Sequence, residues 1–144
     1  MLIKGQWDIL VYRILEIREN GMGDIIEITC KKCFHIWQYP IGCGMLHGRL
    51  DYVSELFSKE IQTQINELVR EKRFPMYDFS YKVGRCDGCK NLKSVPVLFV
   101  EQRTFTGACP ECGGTVIVEK GTNELECPVC GEPSLEQEFV GLWD

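Results

Sequence analysis

Residues 109–133 read CPECGGTVIVEKGTNELECPVCGEP: two Cys-Pro-x-Cys-Gly turns with fourteen residues between Cys112 and Cys127. Two residues between cysteines let the chain turn tightly and aim both sulfurs at one point. Gly113 and Gly131 follow the turns, where a residue without a Cβ suits a sharp reversal with backbone amides facing the sulfurs. Within the insert, TVIVE alternates as a strand does, KGTN is a turn, and ELE leads back to the second cysteine pair.

The same pair occurs twice more. Cys30/Cys33 lies in ITCKKCFHIWQYPIGCGMLHG (28–48), a stretch that also holds both histidines, and Cys86/Cys89 forms CDGC. Eight of nine cysteines thus fall into four Cys-x-x-Cys pairs, and two such pairs complete a tetrahedral four-sulfur metal site. The candidate ligands are Cys30, Cys33, Cys86, Cys89, Cys109, Cys112, Cys127 and Cys130, with two Zn2+ per chain the expected complement. The N-terminal run WDILVYRILEI carries Asp8, Arg13 and Glu16 and has no small-residue cleavage site, so it is not read as a secretion signal. Cysteines without such a signal point to a reducing, cytoplasmic setting and metal ligation rather than disulfides. No stretch is long enough to span a bilayer, so no membrane partner is expected.

The 144 residues allow one medium domain or two small ones. The formal charge is −5. Eight thiolates and two divalent cations, contributing −8 and +4, take it to −9. Sequence-independent nucleic-acid binding needs Lys and Arg to neutralise phosphates, and this balance disfavours it.

The closing stretch resembles the zinc-ribbon class, two knuckles at one end of a short antiparallel sheet, over residues 107 to about 140. It is also similar to rubredoxin-like domains, which bind one iron through the Cys-Pro-x-Cys-Gly pattern. That resemblance implies iron at Cys109, Cys112, Cys127 and Cys130 as the alternative to zinc, although no aromatic residue lies between Cys112 and Cys127. Ribbons serve many functions, so the class names none.

Sequential pairing is the expected scheme: Cys30/Cys33 with Cys86/Cys89, and Cys109/Cys112 with Cys127/Cys130. The two Cys-Pro-x-Cys-Gly knuckles match each other, and loop-closure entropy favours this scheme by roughly 1 kcal/mol. The other scheme stays open, because nineteen residues between Cys89 and Cys109 also fit a zinc spacing. The fifty-two residues between Cys33 and Cys86 are read as a helical insertion over about 51–73. Val53, Phe57, Ile61, Ile65, Leu68 and Val69 share one face of it. Beyond Pro75, Tyr77, Phe79, Tyr81 and Val83 line one side of a strand, as core. The expected fold is α+β, mostly β: two ribbons in tandem, at 22–104 with the inserted helix and at 105–144. Residues 1–21 form an extension or a leading strand, or lie upstream of a native start at Met22.

Cys43 stands among Gly42, Gly44 and Gly48. A reactive thiol would need an orienting base, so a small buried thiol in a loop packed against the helix is the expectation. His35 and His47 are not needed as ligands. Closed four-cysteine sites leave no open coordination position, and no acid/base constellation or small-molecule substrate stands out, so no enzyme is expected. The expected role is a structural two-zinc adaptor that binds another protein through the helix or the ribbon edges. The apolar C-terminus FVGLWD is expected to fold back. The alternatives are the iron electron carrier and a nucleic-acid-binding regulator. The latter would use REKR (70–73) with Lys82, Arg85, Lys90 and Lys93, whose bland reading is a solvated helix end.

Overall fold

The computed structural model describes residues 23–118, 121 and 124–143. The leading segment 1–21, the start at Met22 and most of the KGTN turn lie outside them. The fold is α+β and mostly β, as expected, with helices between strands. A three-stranded sheet has the order β2-β1-β7, built from β1 (Gly23–Cys30), β2 (Ile36–Ile41) and β7 (Leu135–Trp143). A four-stranded sheet has the order β5-β4-β3-β6, built from β3 (Tyr77–Cys86), β4 (Leu92–Val100), β5 (Arg103–Thr106) and β6 (Val116–Ile117). Every pairing is antiparallel.

The two sheets repeat one plan. A hairpin carries a cysteine pair at its turn, and a later strand returns alongside the strand that enters that turn. In the first sheet β1 ends at Cys30, which faces Leu135 of β7. In the second β3 ends at Cys86, which faces Val116 of β6. The residue after each of these cysteines seals the arrangement: the Lys31 amide donates to the Ser134 carbonyl at 2.9 Å, and the Asp87 amide to the Thr115 carbonyl at 2.8 Å. The second unit lies in the chain wholly inside the first.

The helical insertion keeps its predicted face but is two helices, α1 (Leu50–Ser54) and α2 (Lys59–Val69). Ser58 ends the continuity: its hydroxyl accepts from the Ile61 amide at 3.3 Å, capping α2. Val53, Phe57 and Ile65 bury against Phe79, Leu98, Val100 and Phe105 of the second sheet, with Ile61, Leu68 and Val69 at the margin. The alternation from Tyr77 to Val83 is therefore core packing, as read from the sequence.

A second cluster, Ile26, Ile28, Leu92, Leu125 and Leu135 with Cys30 and Cys127, joins the sheets. Tyr39 Oη donates to the Leu92 carbonyl at 2.7 Å, Ser94 Oγ to the Pro40 carbonyl, and Gly42 bridges Tyr81. The C-terminal apolar run does fold back, but as β7 against β1 rather than onto residues 109–130.

Gly84 is where β6 comes closest to β3. A Cβ there would stand 2.2 Å from the Ile117 carbonyl oxygen. Gly84→Ala should displace β6 and cost on the order of 1–3 kcal/mol as overpacking. Gly48→Ala, where a Cβ meets nothing within 4 Å, should stay within about 0.5 kcal/mol. Urea midpoints of the two variants check the contrast.

Candidate metal centres

All four knuckles use one backbone solution. The residue after each pair has positive φ: Phe34 (63°), Lys90 (65°), Gly113 (74°) and Gly131 (78°). Its amide donates to the carbonyl of the first cysteine, at 2.9, 2.9, 2.8 and 2.8 Å. The amide of that first cysteine donates in turn to the carbonyl five residues on, at His35, Asn91, Gly114 and Glu132. The two glycines adopt this conformation freely, whereas Phe34 and Lys90 do so at roughly 1–2 kcal/mol each. In every pair the first cysteine is buried and the second lies nearer solvent.

The sulfurs gather into two tetrads: Cys30, Cys33, Cys127 and Cys130, and Cys86, Cys89, Cys109 and Cys112, each with all Sγ atoms within 4.8 Å of one another. This corrects the sequential pairing. The outer pairs of the chain meet each other, and the inner pairs meet within them. Strand pairing decides it, because β7 aligns on β1 and β6 on β3, placing each late knuckle across from the strand that enters an early one. The shared Cys-Pro-x-Cys-Gly composition describes how a single knuckle turns and carries no information about its partner. The set Cys109, Cys112, Cys127 and Cys130 is split between the tetrads and is not a site for iron.

A tetrahedral metal with bonds of about 2.3 Å sets its sulfurs roughly 3.8 Å apart. Across the outer tetrad the separations are 3.6 Å for Cys30–Cys130 and 3.7 Å for Cys33–Cys127. Across the inner one they are 3.3 Å for Cys86–Cys112 and 3.8 Å for Cys89–Cys109. Both tetrads are therefore positioned to hold metal ions.

Backbone amides prepare the sulfurs for negative charge. The Cys33 amide and the Ser134 hydroxyl, at 3.4 and 3.1 Å from Cys30 Sγ, lower that thiol to about 5. The Cys89 amide does the same for Cys86, lowering it to about 6. At Cys130 the Glu132 amide favours the thiolate, but desolvation and the neighbouring Cys30 outweigh it and hold the thiol up to about 12. Four thiolates cannot share so small a volume without a cation, so metal binding must release protons.

Sequence reasoning missed three supports. Ser134 has no spacing signature. Gly88 and Gly114 lie so close to the inner sulfurs that a Cβ on either would stand 3.1 Å from Cys112 Sγ. The positive φ at Phe34 and Lys90 could have been anticipated from their position after the pair, which glycine occupies in the other two knuckles.

Cys43 belongs to neither tetrad and packs at the margin of the helical cluster, half-buried rather than buried. His35 is exposed, with its ring 5.4 Å from Trp37. His47 is buried, and its Nδ1 accepts from the Gly44 amide at 2.7 Å. Burial pushes its pKa below the ordinary histidine value. The basic residues near the second knuckle are largely paired: Arg85 with Glu126, Lys90 with Asp87 and Lys93 with Glu111.

Two outcomes follow from these placements. Cys33→Ser/Cys127→Ser should lose one metal per chain, while Cys109→Ser/Cys127→Ser should lose both; sequential pairing requires the reverse, and elemental analysis decides. His47 is neutral in the fold, and its folded pKa lies below its unfolded value of about 6.5. Its contribution to stability is complete above that pH and is lost as pH falls through it, because only the unfolded chain takes up the proton there. The groups around its ring are Tyr52, Phe79, Tyr81 and Trp143. Urea midpoints between about pH 7 and 6 should slope less in His47→Phe than in the parent chain.

Comparison of the chain with protein-family models, with curated proteins and with solved structures finds no match.

Proposed function

We propose that this is a structural two-zinc module of a reducing compartment, the cytoplasm, that recognises another protein. Closure of both tetrads by four cysteines supports a structural role, because such sites offer no ligand position to substrate or water. Zinc then supplies folding energy to a chain whose apolar core is divided into small clusters.

The observation that carries recognition is the segment 70–76, which joins α2 to β3. Phe74 and Met76 are 83% and 84% exposed, and Arg73 lies over the Phe74 ring at 5.7 Å. Arg70 and Arg73 enter no ion pair among the described residues, and Lys72 reaches Glu101 only at 3.8 Å. Two protruding apolar side chains, one of them under Arg73, suit a protein surface with an apolar pocket and an acidic rim. With Arg85, Lys90 and Lys93 engaged in ion pairs and a formal charge of −5, the nucleic-acid reading has less support.

One observation favours iron as a second reading, now at the outer tetrad. Trp37 and Tyr39 pack against the cluster that holds Cys30 and Cys127, giving that site the aromatic surroundings that residues 113–126 do not provide.

The test has two parts. Protein purified anaerobically should hold two zincs per chain and be colourless; a red ferric-thiolate spectrum would replace this reading with the electron carrier. Phe74→Ser/Met76→Ser should keep both metals yet lose at least about tenfold in affinity for a captured partner, as expected for two anchor residues. Retention of the same partner at the same affinity refutes recognition through this segment.

A further inference from the structure

The turn from Gly42 to Gly48 supplies no ligand to either tetrad, yet it walls a cavity of about 330 Å³. The lining residues are Gly44, Met45, Leu46, His47, Tyr52 and Trp143. These walls are mostly apolar, and Met45 and Leu46 stand exposed at the rim. Flexible apolar side chains in that position can close over a guest.

His47 is the buried polar residue of a lining that also includes Tyr52 and Trp143. It is 7% exposed, and four rings fix its plane: Phe79 stacks at 4.6 Å, while Tyr52, Tyr81 and Trp143 stand 5.5, 5.5 and 5.8 Å away. Its Nδ1 accepts from the Gly44 amide, so the proton of the neutral imidazole sits on Nε2. That N–H has no acceptor among the described residues. His47 is one of the residues that line the cavity, so its ring is placed to offer this second nitrogen to a guest. Packing alone is better served by phenylalanine or leucine at this position, which leave no donor wanting an acceptor.

We propose that this cavity is a binding site for a small apolar molecule with one hydrogen-bond acceptor, an aryl or acyl compound whose carbonyl oxygen accepts from His47 Nε2. A mostly apolar enclosure with a few placed polar groups is how small-ligand sites combine affinity with orientation. At about 30 Å³ per non-hydrogen centre, the liquid-water share, the space holds about ten such atoms, enough for a substituted aromatic ring. The site needs nothing from the metals or from segment 70–76, so it stands or falls apart from the adaptor reading.

Acetophenone, an aryl ketone, is a suitable probe. Added to the full metal-loaded chain labelled with ¹⁵N, it should shift the Trp143 indole and Gly44 amide resonances saturably. Ethylbenzene, of similar size without the carbonyl, should bind several-fold more weakly, the loss expected for one hydrogen bond. His47→Phe should abolish the difference between the two compounds. Leu46→Trp, at an exposed rim position, should weaken both while metal content stays unchanged. The assignment is overturned if acetophenone gives no saturable shift up to its solubility limit. Equal binding of ethylbenzene to the parent chain, or shifts confined to residues away from the cavity, overturns it as well. If His47→Phe fails to fold, the two compounds on the parent chain and the Leu46→Trp variant still decide.

Discussion

The antiparallel ladder between β1 and β7 is the constraint on which the rest of this structure depends. It runs from Gly23↔Trp143 to Cys30↔Leu135 with one register shift between Ile25 and Ile26. That register brings the last cysteine pair of the chain to the first. Because side chains alternate along a strand, a slip of one residue would turn Ile26, Ile28 and Cys30 from the buried face to the other. The outer cysteine tetrad and the cluster beneath it therefore need the same alignment.

Nesting follows from the same plan used twice. The inner tetrad joins Cys89 to Cys109 across a separation of 20 residues, whereas the outer joins Cys33 to Cys127 across 94. Closing the longer loop costs about 1.4 kcal/mol more on logarithmic scaling. The actual difference is smaller once the inner unit has formed, because β6 alongside β3 already brings residues 86 and 116 together. The entropy that argued for sequential pairing is thus a minor quantity beside the ladder hydrogen bonds and the buried isoleucines and leucines of β1, β4 and β7.

What could be read in the sequence was local. The eight ligands follow from spacing. The helical face from Val53 to Val69 follows from periodicity, and the Tyr77–Val83 strand from alternation. The break at Ser58 was legible in principle as a capping residue before a helix start. The partner of each knuckle was not, because it is a property of strand order between segments up to a hundred residues apart, and TVIVE reads as a strand whichever sheet it joins. Among the described residues of that stretch Val116 and Ile117 form β6, and they add to β3 rather than closing a ribbon with the last knuckle. Leu125 then crosses into the cluster of the outer site. Phe34 makes the same point from the opposite side. Nothing about its side chain announces a left-handed conformation, but its place after a cysteine pair requires one.

The two sheets meet at the turn that follows β2. Gly42 exchanges hydrogen bonds with Tyr81 of the inner sheet, at 3.0 and 2.7 Å. At the end of β7 the Trp143 indole donates to the Ile41 carbonyl at 2.9 Å. Gly23 must remain without a side chain here, since a Cβ would stand 2.4 Å from the Trp143 ring. His47 lies just beyond, with rings from both sheets around it and its own carbonyl accepting from Tyr77 Oη at 2.7 Å. Gly42 takes φ of +81°, a conformation glycine adopts without strain, so the chain can leave β2 and pass into this cage. Of the glycines around Cys43, Gly42 thus bends the backbone through the joint between the sheets, and the buried His47 lies at the end of the bend.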